Sequence, residues 1–254
     1  MIRAYHMQLH AVQKLGGRVI LMASRARVRV ANSPADYAKV YAAVLAEAEH
    51  PVILHWLGEM FDPALAGYWG GSGFQGKMET CLGVIAANVR KVDGIKISLL
   101  DANKEVVMRR RLPAMVKMYT GDDFNYRELI AGDVRGFSHA LLGVFAAIDP
   151  AASGALSALS EGFKAEYDEL LAPTVPLPRL IFRAPTRFYK TGIVLLAWLN
   201  GHQDHFIMAG GQQAQRPITY FAEAFRLADQ ARLLRDPELA ARRMRALLAL
   251  YGVG

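Results

Sequence analysis

With 254 residues and 53% apolar side chains, the chain can bury one large core or two small ones, which excludes a disordered protein. The longest apolar stretch, 193–199, is far short of the ~20 residues that cross a bilayer, the N-terminus lacks a signal-peptide segment, and the single cysteine, Cys81, excludes an intrachain disulfide framework. These features point to the cytoplasm. The formal charge of +7 is spread over separate clusters at 25–29, 109–111 and 242–245 with no nucleic-acid-reading motif, so neither nucleic acid nor membrane is an expected partner.

In chain order, residues 4–15 read as a helix stopped by Gly16-Gly17, and 18–23 as a short, evenly apolar strand. Ser33-Pro34 supplies an N-cap and a first-turn proline for a helix over 34–49, which crosses to a strand at 51–56. Residues 59–76 follow that strand and read as a flexible loop that closes over a site. The Gly71-Ser72-Gly73-Phe74-Gln75-Gly76 string inside the loop spells a dinucleotide fingerprint, but it lacks the strand that must precede one. A helix at 77–91 leads to a strand at 92–98, and a helix at 103–111 leads to a strand at 116–120. A helix at 124–131 and a fifth strand at 136–143 follow, with helix a competitor for the last. Helical spacing then dominates over 151–171, 186–200, 215–234 and 237–251.

Lys96 stands in the apolar run of the third strand, where an ammonium is costly unless chemistry uses it. Desolvation lowers its pKa and frees the amine to attack a carbonyl and form a Schiff base, although a lysine can also bury its stem and keep its head wet. The strands at 51–56 and 116–120 end in polar groups too, His55 and Gly121-Asp122-Asp123, at the C-terminal end where α/β barrels carry catalysis. Histidine moves protons near neutrality, which suits His55 to a relay. Ser24 and Arg25 follow the first strand on the same rim, and an arginine there suits a substrate carboxylate or phosphate. Ser138 holds the corresponding place on the fifth strand.

The string Gly94-Ile95-Lys96 resembles the Schiff-base strand of the dihydrodipicolinate synthase and N-acetylneuraminate lyase superfamily, and Pro51-Val52-Ile53-Leu54-His55 resembles the strand before it. Gly121-Asp122-Asp123 begins 25 positions after Lys96, close to the family's own separation. The segment at 181–190 followed by 195–201 is similar to its Asn-Pro-x-Pro-x-Lys helix. In detail, including Trp56-Leu57-Gly58-Glu59 and the segment at 200–205, the chain is most similar to a branch labelled only dihydrodipicolinate-synthase-like. Two departures stand out: His55 replaces the family's proton-relaying tyrosine, and no Gly-Thr-Thr-Gly-Glu carboxylate-gripping loop is present.

The resemblance implies an α/β fold of the (β/α)8 barrel type. Five strands are counted where closure needs eight, so an incomplete barrel is expected, the C-terminal two-thirds of a longer one. The expected division is a partial barrel over 1–150 and a helical region over 151–254. The resemblance also implies a lyase or aldolase that needs no cofactor, takes a 2-oxo acid or keto-sugar derivative, and assembles as a homo-oligomer. Lys96 would form the imine, His55 would move the proton and Arg25 would hold an anionic group. Gly121 would shape the turn around the imine, with Asp122, Asp123 and Ser138 as further substrate contacts. A dehydratase or decarboxylase would use the same imine. The alternatives are a non-catalytic barrel fragment or interaction subunit, and a metal-dependent hydrolase or isomerase built on His202, Asp204 and His205.

Overall fold

The computed structural model describes residues 1–253, and its chain divides into two compact units, Met1–Leu141 and Leu142–Gly254. The first unit is a parallel sheet with its strands in sequence order, β1 (Ile20–Leu21), β2 (Val52–Leu57), β3 (Val92–Ser98), β4 (Lys117–Thr120) and β5 (His139–Ala140). The helices are α1 (Ile2–Lys14), α2 (Arg25–Val30), α3 (Pro34–Ala46), α4 (Gly73–Ala87), α5 (Ala102–Arg109) and α6 (Tyr126–Ala131). Strand, helix and next parallel strand repeat as in a (β/α)8 barrel, with five of its eight strands present in the described residues.

Side-chain alternation sorts the sheet into two faces. Val52, Leu54 and Trp56 of β2, with Val92, Ile95, Ile97 and Met118, are buried in one core with Tyr37, Tyr41 and Leu45 of α3 and Met78, Cys81 and Ile85 of α4. The opposite face carries Ile53, His55 and Leu57, all half-buried. A bulge between Val52 and Ile53 steps the register past Asp93, and from there Ile53 pairs with Gly94, His55 with Lys96 and Leu57 with Ser98.

Several elements differ from the sequence-based expectation or add to it, each for a visible reason. The segment 25–30 is a helix, because Ser24 caps it by accepting the Arg27 N–H. β1 is only two residues long, because its ladder to β2 ends at Leu21 where a tyrosine hydroxyl intervenes. The segment 59–76 is anchored rather than free: Leu65, Tyr68 and Trp69 are all buried. Gly71 serves packing, since a Cβ there would lie 2.5 Å from the Lys77 nitrogen in the first turn of α4.

The second unit is helical throughout: α7 (Phe145–Ser160), α8 (Lys164–Leu171), α9 (Pro176–Ile181), α10 (Tyr189–Leu199), α11 (Ile218–Gln230) and α12 (Pro237–Leu250). The expected helix over 151–171 is two, because Gly162 adopts a left-handed conformation, φ +88°, that ends α7. Arg216 is buried and donates to the carbonyls of Arg183, Ala184 and Pro185, fixing the turn before α10. No described helix is long and apolar enough to cross a membrane.

Candidate active site

The register brings four polar side chains into one row across the face opposite the helices: His55 on β2, Lys96 on β3, Tyr119 on β4 and His139 on β5. Lys96 is mostly buried, and desolvation lowers its pKa, opposed by the charge of the buried Asp123. Burial, with the Lys96 charge beside it, takes the His55 pKa down to about 3, so the imidazole is neutral throughout the physiological range. That corrects the expectation of a histidine poised near neutrality. His55 Nε2 lies 3.0 Å from Ser98 Oγ. Ser98 is two residues beyond Lys96 and therefore on the same face, a signal the alternation of the strand carried.

Gly121 is required by close approach. A Cβ there would lie 2.7 Å from Lys96 Cε and 2.8 Å from the Ile97 carbonyl, and would overlap Ser98 Oγ. The glycine therefore leaves the space that the lysine stem and the serine hydroxyl occupy. On the lower part of the same face, Tyr119 Oη donates to Asp93 Oδ2 at 2.5 Å, and Lys117 Nζ meets Asp93 Oδ1 at 3.0 Å. The Tyr119 ring covers Gly94, where a Cβ would come within 2.6 Å of Cε2.

The position of His55 is fixed from behind by Tyr68, which sequence reasoning did not single out. In an uninterrupted parallel ladder the Ala23 N–H would donate to the His55 carbonyl. Instead Ala23 N–H donates to Tyr68 Oη at 2.9 Å, and Tyr68 O–H donates to the His55 carbonyl at 2.8 Å. With that proton committed, Tyr41 is the donor in its 2.5 Å contact with Tyr68 Oη. Burial pushes both phenols up, so both stay protonated. Tyr68→Phe should cost about 2–3 kcal/mol, because buried partners lose their bridge. Tyr41→Phe, which leaves the bridge intact, should cost about 1 kcal/mol. Urea unfolding of the two variants checks the difference, and equal costs would contradict the bridge.

The remaining sequence candidates are engaged elsewhere. Ser24 caps α2, and its N–H donates to Tyr5 Oη. Arg25 is exposed and pairs with Asp62 at 2.5 Å. Asp122 accepts the Phe124 and Asn125 N–H groups and the Asn125 amide, closing the turn before α6. Ser138 has the opposite parity to His139, so it faces the helices, where Arg109 Nη1 donates to it. His202, Asp204 and His205 are exposed, and His205 Nδ1 accepts the Ile207 N–H. Among the described residues no group of three His, Cys, Asp or Glu side chains is arranged to hold a metal ion.

A family described as "Protein of unknown function (DUF993)" matches residues 1–253. The chain belongs to that family. No curated protein matches it. Among solved structures, a protein provisionally described as a dihydrodipicolinate synthetase, from Pseudomonas aeruginosa, is similar with a TM-score of 0.69 and 17% identity. That alignment covers 91% of this chain and 72% of the other. The dihydrodipicolinate synthase of Oceanobacillus iheyensis is similar with a TM-score of 0.63 and 12% identity, over 90% of this chain and 70% of the other. A variant of the 2-keto-3-deoxygluconate aldolase of Sulfolobus solfataricus gives 0.54 and 11%, over 80% and 64%. At these identities the likeness is one of fold, and it bears out the α/β barrel type expected from the sequence, present here as an incomplete barrel.

Proposed function

We propose that this DUF993 protein is a lysine-dependent lyase of the class I aldolase kind, acting on a 2-oxo acid. One observation carries the reading: Lys96 is desolvated and faces the same side of the sheet as His55, its register partner. The fold shared with proteins named dihydrodipicolinate synthase and 2-keto-3-deoxygluconate aldolase supports the same kind of chemistry.

In this mechanism the neutral Lys96 amine attacks the ketone carbon, and the resulting carbinolamine loses water to give the imine. The protonated imine accepts the electron pair when the bond between the α and β carbons breaks: the β-hydroxyl loses its proton as that fragment leaves as an aldehyde, the enamine takes up a proton at the α carbon, and water then releases the 2-oxo acid and the free amine. Ser98, within hydrogen-bond reach of His55, carries the proton between the carbinolamine oxygen and the imidazole. Because His55 is neutral and weakly basic, its protonated form is short-lived and the relay returns the proton quickly. Asp123 supplies the negative charge that steadies the cationic imine.

Borohydride reduction with pyruvate tests the reading. The expected result is a protein heavier by the reduced adduct, with the added mass mapped to Lys96. His55→Asn should still trap the ketone but slow turnover by about 10²–10⁴-fold, the usual contribution of a positioned proton-transfer group. Absence of adduct across pyruvate and longer 2-oxo acids would defeat the proposal.

A further inference from the structure

On the helical side of the sheet, the C-terminal end of β4 rests on a buried acid that the proposed mechanism leaves unused. Glu105 on α5 is fully buried, as are Thr120, Asp122 and Ser138. The Thr120 and Ser138 hydroxyls lie beside its carboxyl. From there a short run of contacts leads through the strand end to Lys96 on the other face. Thr120 Oγ1 accepts the Asp122 N–H at 3.2 Å, and the Asp122 carboxylate accepts the Phe124 and Asn125 N–H groups. Between Thr120 and Asp122, Gly121 donates its N–H to the Ile97 carbonyl at 2.8 Å, and Lys96 Cε and Ser98 Oγ fill the space where its Cβ would stand. Asp123, next in the chain, supplies the negative charge that acts on Lys96.

We infer that Glu105 is a positioning residue for Lys96: as the neutral acid it supports the turn at 120–123 that leaves space for the lysine stem, and once ionised it disturbs that turn and slows imine formation. This role rests on the Schiff-base reading of Lys96 and makes that site respond to pH. Charge is what moves the turn. Asp122 repels a second carboxylate, and the attraction of Arg109, on the same helix as Glu105, is shared with Asp133 at 3.0 Å. Asp101 at the start of α5, paired with Lys104 at 2.9 Å, acts on Asp122 in the same repulsive sense. The segment entering β5 presents the uncharged Ser138 and turns His139 to the opposite face, with Tyr119. An ionised Glu105 therefore presses on Asp122, which Gly121 and Asp123 flank. Gly121 stands against the lysine stem without slack, and close-packed atoms pass a displacement on to their neighbours. Burial sets the range, since it raises the Glu105 pKa to about 7 and so populates both forms near neutrality.

The test is the rate at which pyruvate and sodium cyanoborohydride label Lys96 in the whole chain, read by intact mass and peptide mapping, for the parent and Glu105→Gln between pH 6 and pH 8. The ratio of the two rates cancels every pH effect that the proteins share, including deprotonation of the Lys96 amine and the chemistry of the reductant. Rates are taken well below the melting temperature, where both proteins are folded, so that their difference in stability does not enter. The ratio of variant to parent should rise about tenfold from pH 6 to pH 8, because the neutral fraction of an acid titrating at about 7 drops from roughly nine-tenths to one-tenth. Glu105→Met, apolar and of similar length, should show the same rise, and it serves if the glutamine variant misfolds. A group that only stabilises the fold would give a ratio independent of pH; that result, or a ratio that falls, overturns the inference. Absence of an adduct on Lys96 in the parent and both variants at every pH would instead overturn the Schiff-base reading, and this inference with it.

Discussion

Lys96→Met will abolish borohydride-trappable adduct and any turnover with 2-oxo acids, yet give a protein more stable than the parent by about 0.5–2 kcal/mol at neutral pH, the usual scale for relieving a functional strain. Burial disfavours the Lys96 ammonium in the folded state, so its pKa there lies below the unfolded value. A lysine shifted down weakens the fold wherever it must be protonated, and that cost is relieved as pH rises through its folded pKa. The advantage of the methionine variant should therefore be largest near pH 7 and shrink toward pH 10.5. Lys96→Arg should be equally inactive, because a guanidinium cannot lose its proton to become the nucleophile. Thermal unfolding at several pH values, paired with intact-mass trapping, checks both halves. A methionine variant that traps ketone, or that melts lower than the parent at pH 7, would contradict the assignment.

The parts of this site that sequence made legible are those marked by a residue out of keeping with its run. Lys96 is visible as a charge inside Val92–Ser98, and the apolar runs around it locate β2, β3 and β4 closely. The pairing of His55 with Lys96 depends on the bulge at Val52/Ile53, and a one-residue shift in register would have sent His55 to the helical face. No local pattern announces that bulge. Ser138 illustrates the converse: a two-residue strand such as His139–Ala140 has too little alternation to reveal its parity. Ser24 carried a true signal that admits two meanings, since a serine after a strand suits substrate binding and also caps a helix. Tyr68 lies in a segment rich in glycine and proline that reads as mobile, and only the tertiary structure brings its hydroxyl between β1 and β2.

Glu105→Gln should stabilise the protein in a strongly pH-dependent way. Glu105 on α5 is fully buried, and neither carboxylate oxygen makes a well-formed hydrogen bond. Burial raises its pKa to about 7, and the neighbouring hydroxyls of Ser138 and Thr120 and the Arg109 charge offset this only in part. The folded state therefore holds the neutral acid up to about pH 7, while the unfolded chain ionises above the ordinary value of 4.5. Stability from this group is complete below 4.5 and is lost as pH rises from there through 7. Glutamine keeps the shape of the neutral acid and cannot ionise. The stability difference between Glu105→Gln and the parent should consequently grow by on the order of 2–3 kcal/mol between pH 5 and pH 8. Urea unfolding at the two pH values measures it, and the subtraction removes the contribution of His55, whose lowered pKa acts in the opposite sense as pH falls below 6.5. A difference that stays constant with pH would mean that Glu105 is already ionised in the fold, which would require a compensating cation beyond Arg109, itself committed to Asp133 at 3.0 Å.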